Sequence, residues 1–168
     1  VGEYLRERLP GLFISLSSEV SPRIREYERT STTVLNSCLS TLLAHSLGAM
    51  EIFFKKRDIP GRIWLMQNNG GLTDMKSAGN FGVAGLFSGP AGGVRGAQAL
   101  AELTGHPDLV IVDMGGTSFD VSLIKDYQTQ ICPESEVEGY YINLPMLDIR
   151  SIGAGGGSIA WVDPGGSI

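Results

Sequence analysis

The run Asp113-Met-Gly-Gly-Thr-Ser-Phe-Asp120 combines the groups needed to hold a phosphate chain and its counter-ion. Gly115 and Gly116 let backbone N–H groups converge on an anion with no side chain in the way, and the hydroxyls of Thr117 and Ser118 add further donors. Asp113, just ahead of the turn, is placed to accept hydrogen bonds from the waters of a Mg2+ ion, which gives up its hydration shell reluctantly. Asp120 supplies a second carboxylate. The pattern is neither a P-loop, which uses a Lys and a following helix, nor a dinucleotide fingerprint, which needs a helix directly after its glycines. The competing reading is a plain hairpin with solvated aspartates.

Ser151-Ile-Gly-Ala-Gly-Gly-Gly-Ser158 is a second candidate ligand loop, whose backbone could approach a nucleotide; a glycine-rich connector explains the composition nearly as well. Asp148 either serves a metal or ends a strand. His45 and His106 have no Cys, His or carboxylate at ligand spacing, and Ser88-Gly-Pro lacks the flanking glycines of a nucleophile elbow.

Strands and helices must position these loops. Leu109-Val-Ile-Val-Asp113 is a continuous apolar run and predicts a strand buried on both faces. After the turn, Val121 and Leu123 alternate with Asp120 and Ser122, which predicts a second strand and a hairpin with glycines at its tip. Another strand is expected between Tyr140 and Leu144. Upstream, residues 12 to 18 alternate like a strand, and residues 62 to 66 and 83 to 87 predict short strands. The clusters that follow, Gln67 to Gly71 and Ser88 to Gly93, read equally as pocket walls or as turns and caps. Leu35, Leu39, Leu42, Leu43, Leu47, Met50 and Phe54 recur at helical spacing, predicting a long core-facing helix from Glu28 to about Lys56 with N-cap candidates between Thr30 and Thr33. Cys38, beside Leu39 on that helix, is expected to be buried. A small-residue helix is predicted from about Gly92 to Leu103, with Pro90 at its start.

The chain has 168 residues, 42% hydrophobic and 18% charged, which is globular in character and allows one domain or parts of two. A formal charge of -5 argues against a basic nucleic-acid groove, so any phosphate must be held locally. No run of apolar residues suggests a bilayer span or a secretory signal. Cys38 and Cys132 are too few and too distant for a disulfide framework, which predicts reduced thiols and a cytoplasmic location. The chain's 23 glycines lie in clusters rather than evenly spread, and the clusters mark the candidate site.

Several strings, in the same order along nearly the whole chain, resemble the hydantoinase/oxoprolinase family of ATP-dependent 5-oxoprolinases, N-methylhydantoinases and related ketone carboxylase subunits. They are Ser18-Glu-Val-Ser21, Arg25-Glu-Tyr-Glu-Arg29 running into Thr33-Val-Leu-Asn36, Met66-Gln-Asn-Asn-Gly-Gly71, Ser88-Gly-Pro-Ala-Gly-Gly-Val94, Asp113-Met-Gly-Gly-Thr-Ser118, and Asp148-Ile-Arg-Ser-Ile-Gly-Ala-Gly-Gly-Gly-Ser-Ile-Ala160. The resemblance implies an α/β fold of the actin-like ATPase (ribonuclease H-like) type, present in part. Residues 1–87 would be the C-terminal part of a first ATPase domain, and 88–168 a crossing helix and the N-terminal part of a second.

It also implies ATP and Mg2+ or another divalent metal as cofactors. Asp113 and Asp120 are then the candidate catalytic carboxylates, and Asp113 and Asp148 the candidate metal ligands. Gly115, Gly116, Thr117 and Ser118, with Gly153, Gly155, Gly156 and Gly157, are the candidate nucleotide-binding residues. Phe119 and Arg150 depart from the family pattern, in which Thr and His are frequent; a metal ligand at 150 is not carried over. The implied activity is opening of a 5-oxoproline or hydantoin ring through phosphorylation of its carbonyl; alternatives are ATP-dependent ketone carboxylation and a non-catalytic nucleotide-binding module. Expected partners are a small cyclic amide, the rest of the polypeptide or a hydrolase subunit, and further copies of the chain, with no nucleic acid or membrane. The segment alone is expected to be inactive.

Overall fold

The computed structural model describes residues 1–166. Its elements in order are α1 (Gly2–Arg8), α2 (Ser17–Val20), α3 (Glu26–Lys56), β1 (Trp64–Met66), β2 (Leu72–Asp74), α4 (Met75–Asn80), a 3-10 turn (Gly82–Gly85) and α5 (Ser88–Thr104). They continue with β3 (Leu109–Met114), β4 (Phe119–Lys125), β5 (Gln128–Thr129), β6 (Ile131–Cys132), β7 (Ser135–Val137), β8 (Tyr140–Ile142), β9 (Met146–Leu147) and β10 (Ile149–Ile152). The mixture is α/β. Two compact units divide the described residues: 1–92 with 131–147, and 93–130 with 148–166.

In the first unit α3 is the spine. Glu26 and Glu28 in its first turn and Lys55 and Lys56 in its last complement the helix dipole. Arg25, at φ 87°, turns the chain into it. The expected caps between Thr30 and Thr33 instead lie inside the helix, where Thr32 Oγ1 and Thr33 Oγ1 donate to the carbonyls of Glu28 and Arg29, each at 2.7 Å.

Thr32, Asn36, Ser40 and Leu47 are its buried positions, so much of the inward stripe is polar. Each polar member is bonded. Asn36 Nδ2 donates to Ser15 Oγ at 2.7 Å and to the Asn80 carbonyl at 3.2 Å. Its Oδ1 accepts from Val83 N, and Ser40 Oγ accepts from Gly82 N at 2.8 Å. Asn143 N donates to Thr32 Oγ1 at 2.8 Å. An 18-residue window of α3 has mean hydropathy 1.3, enough by length and composition to cross a membrane, yet this bonded stripe ties the helix into its own unit. The leucine stripe is only partly inward: Leu35 and Leu39 pack on a core of Val20, Val83, Ile142 and Met146, while Leu42 is exposed. Cys38 is exposed, contrary to expectation, because it lies off both stripes.

Two expected strands are absent. Residues 12 to 16 have no regular structure and Ser17–Val20 is helical; an alternating run without a partner strand gains no ladder hydrogen bonds. Residues 83 to 87 fall in the 3-10 turn and its exit, since the Gly82 and Val83 amides are satisfied by side chains of α3 rather than by a neighbouring strand. The 62 to 66 strand shortens to β1 and pairs with β2 in a hairpin. The Gln67 to Gly71 cluster is the turn of that hairpin, closed by Gln67 N to the Gly71 carbonyl at 2.9 Å and Gly71 N to Asn69 Oδ1 at 2.8 Å.

In the second unit β3 and β4 form the expected hairpin, with β10 on the other side of β4 in the order β10-β4-β3. Lys125 pairs with Gln128 across a tight turn at Asp126 and Tyr127, both with positive φ, the backbone that a two-residue hairpin requires. The helix after Gly93 is tied to it: Gln98 Nε2 donates to the Tyr127 carbonyl at 2.9 Å. The expectation that β3 is buried on both faces is not met, for Val110 and Val112 are exposed while Leu109 and Ile111 are half-buried. The continuous apolar run therefore serves a sheet with one open face, shared by Met114, Leu123 and Ile152. Helix α5 begins at Ser88, earlier than expected, with Ser88 to Gly93 forming its first turns.

Candidate functional site

Strand register decides which side chains meet. Across β3 and β4, Ile111 pairs with Ser122 and Asp113 with Asp120. Across β4 and β10, Ser122 pairs with Ile149 and Asp120 with Ser151. Because side chains alternate between faces, Asp113, Asp120 and Ser151 form one row across three strands, on the face that carries Ile111, Ser122 and Ile124. Ser122 and Ile124 are buried, so the row sits where that covered face opens at the hairpin tip.

The tip is the turn Gly115-Gly116-Thr117-Ser118. Gly115 N donates to the Ser118 carbonyl at 3.0 Å, and Ser118 Oγ donates to Asp120 Oδ2 at 3.4 Å. Gly115, Gly116 and Thr117 are exposed. Among the described residues the Gly116 and Thr117 amides meet no acceptor. Two adjacent donors on an exposed turn beside a carboxylate pair can receive an anion that arrives with a cation.

The second glycine loop meets this turn directly. Ser151 and Ile152, expected to open the loop, instead complete β10, and the loop follows them. Gly156 N donates to the Gly115 carbonyl at 2.9 Å. Gly155 lies so close to the Gly116–Thr117 peptide that a methyl on it would overlap the Gly116 carbonyl and come within 2.7 Å of Thr117 N. At Gly153 and Gly157 a methyl would meet nothing within 4 Å. The fold thus brings Gly115, Gly116, Thr117, Ser118, Gly155 and Gly156 together.

Asp148 stands apart from this group. Arg150 Nε bonds its Oδ1 at 3.0 Å, and Arg150 belongs to the opposite face of the sheet from Ser151 and Asp113. One ion cannot be shared between Asp113 and Asp148 in this arrangement, and among the described residues no group of three or more His, Cys, Asp or Glu could hold a metal. Both histidines are exposed. Ser151 in the carboxylate row and Arg150 on Asp148 were not singled out from sequence as site partners, although period-two alternation along 148–152 carries the signal for both.

A groove of about 800 Å³ lies in the first unit, lined among others by Arg62, Trp64, Asp74 and Lys76. It contains none of the candidate residues. Asp74 there caps α4; hydrogen bonds from Ser77 N and Oγ, then Lys76 N, hold its carboxyl below the ordinary 3.8.

The hydantoinase/oxoprolinase family model matches residues 29–168. The alpha subunit of caprolactamase from Pseudomonas jessenii is 37% identical over 164 residues, covering 98% of this chain and 24% of that protein. The crystal structure of ATP-dependent caprolactamase from that organism superposes with a TM-score of 0.79 at 33% identity, covering 97% of this chain and 24% of the other. The 5-oxoprolinase of Saccharomyces cerevisiae is 36% identical over 148 residues, 87% of this chain and 11% of that one. The nucleotide-free structure of acetone carboxylase gives a TM-score of 0.73 at 32% identity, covering 88% and 21%. The chain thus spans a quarter or less of the length of these relatives.

Proposed function

The chain belongs to the hydantoinase/oxoprolinase family, and from that premise we propose that it is the phosphate-handling segment of an ATP-dependent enzyme that opens cyclic amides such as 5-oxoproline or hydantoins. The relatives include carboxylase subunits as well as 5-oxoprolinases. The proposal includes the domain assignment, in which 1–87 ends one actin-like ATPase domain and 88–168 begins the next, and a cytoplasmic location.

One observation carries it. A turn whose Gly116 and Thr117 amides meet no acceptor among the described residues stands beside Asp113 and Asp120, which are directly opposite each other in the β3–β4 register. The residues fit the implied group: Gly116 and Thr117 offer N–H donors to phosphate oxygens, and Asp113 and Asp120 offer oxygens to a hydrated divalent cation. Asp148 fits less well, being paired with Arg150 already. When bound, such an ion offsets charge on the phosphate chain during transfer to a carbonyl oxygen.

The protein's own part is positional. An amide carbonyl is a poor electrophile, and activation by ATP requires the terminal phosphoryl group to be held in line with the attacking oxygen. The 115–118 turn fixes the phosphate chain through backbone groups that need no rearrangement, and the hydroxyl of Thr117, exposed at the turn, is a further donor.

The experiment is ADP release by the complete polypeptide carrying this segment, with any partner subunit, in the presence of ATP and 5-oxoproline, a hydantoin or a larger lactam. Stimulation by one of these supports ring opening. Stimulation only by a ketone with bicarbonate replaces it by the carboxylase reading, which the likeness to the acetone carboxylase structure favours. No ATP turnover with any of them would remove the enzymatic proposal.

A further inference from the structure

The two glycine loops are joined back to back, and the join sets the direction in which the peptides of the first one face. Gly156 N donates to the Gly115 carbonyl at 2.9 Å. A trans peptide carries its C=O and N–H on opposite edges; with the Gly115 carbonyl turned toward Gly156, the Gly116 N–H points away from the second loop. The next peptide, Gly116–Thr117, lies flat against Gly155, where a methyl would overlap it. Gly155 is itself anchored: its N–H donates to Ser158 Oγ at 3.0 Å, and its carbonyl accepts from Ser158 N at 2.8 Å.

Space singles out one residue. A methyl at Gly153 or Gly157 meets nothing within 4 Å, and one at Gly156 comes only to 3.8 Å from the Gly115 carbonyl. At Gly155 the obstruction is peptide backbone, which cannot swing aside as a side chain can. We propose that Gly155 is a positioning residue: it acts through the 115–118 turn, as the platform that aims the Gly116 and Thr117 amides at a polyphosphate, without itself touching the nucleotide. Ser158 holds the platform. This role deepens the phosphate-binding reading given above and rests on it, and it revises the expectation that the whole 153–157 loop lines the nucleotide.

The test uses the complete polypeptide carrying this segment, with Kd for Mg2+-ATP and for adenosine measured by titration, and kcat and KM for ATP measured alongside. Gly155→Ala is expected to weaken ATP binding about tenfold or more while adenosine binding stays at the wild-type value, because only the phosphate contacts are mis-aimed. Ser158→Ala should raise KM for ATP several-fold, with Ser158→Thr restoring it; this pair carries the test if Gly155→Ala does not fold. Gly96→Ala, on the exposed side of α5 where a methyl meets nothing within 4 Å, is the control for a methyl as such and should match the wild type. Wild-type ATP affinity in Gly155→Ala overturns the proposal. So does a loss in Gly153→Ala equal to that in Gly155→Ala, which would mean direct contact along the whole loop. A wild-type protein that binds no ATP fails earlier and removes the phosphate-binding reading itself.

Discussion

Asp113 and Asp120 stand directly opposite each other across the β3–β4 hairpin, and among the described residues no basic side chain is paired with either. Like charges directly opposite each other destabilise a sheet, and a cation bound between them relieves the repulsion. Asp113→Asn should therefore raise the melting temperature of the metal-free complete polypeptide slightly, while lowering its ATP turnover roughly 100-fold or more. Calorimetry and ADP release together check this. A variant that is destabilised and also inactive would show only that the fold had been damaged.

Asn36 is the hub of the first unit: 1% exposed, it joins Ser15, Asn80, Val83 and Ser40. Asn36→Leu leaves the buried Val83 amide without its partner, at a cost of about 1–3 kcal/mol, and also removes the bond to the Asn80 carbonyl. Denaturant unfolding should show a lower midpoint. An unchanged midpoint would mean that the polar stripe is not needed to hold α3.

Gly82 is where the 3-10 turn touches α3. A methyl there would come within 2.5 Å of Ser40 N and 2.7 Å of Leu39 C, and neither backbone atom can yield without moving the helix. Gly82→Ala should destabilise the protein by about 1–3 kcal/mol, whereas Gly96→Ala should not.

Asp74 gives a pH signature. Its carboxyl pKa is held below 3.8 by hydrogen bonds from Ser77 and Lys76, so its contribution is complete above that value and is lost as the pH falls through the lowered folded-state pKa. The melting-temperature gap between wild type and Asp74→Ala should be constant from about pH 7 down to about pH 5 and close under stronger acid. A gap that widens on acidification would contradict the capping role.

The hairpin and α3 were legible in the sequence because their signals are local: glycines between alternating runs, and leucines at helical spacing. The failures have physical reasons too. Residues 12 to 18 and 83 to 87 alternate like strands, but a strand needs a partner, and side chains of α3 supply the backbone hydrogen bonds in the second case. Within the site, Asp113, Gly115 and Gly116 stood out by type and spacing. The contact of Gly155 with the Gly116–Thr117 peptide joins residues far apart in sequence, and only the return of β10 alongside β4 brings them together.

In the proposed nucleotide complex the Gly116 and Thr117 amides hold the phosphate chain beside the Asp113 and Asp120 carboxylates. A crystal structure of the complete polypeptide with Mg2+ and a non-hydrolysable ATP analogue tests it most directly. Phosphate oxygens are expected within about 3 Å of both amides, with the cation's waters on Asp113. Phosphates bound elsewhere, or those two amides turned into packed protein in the nucleotide complex, would contradict it.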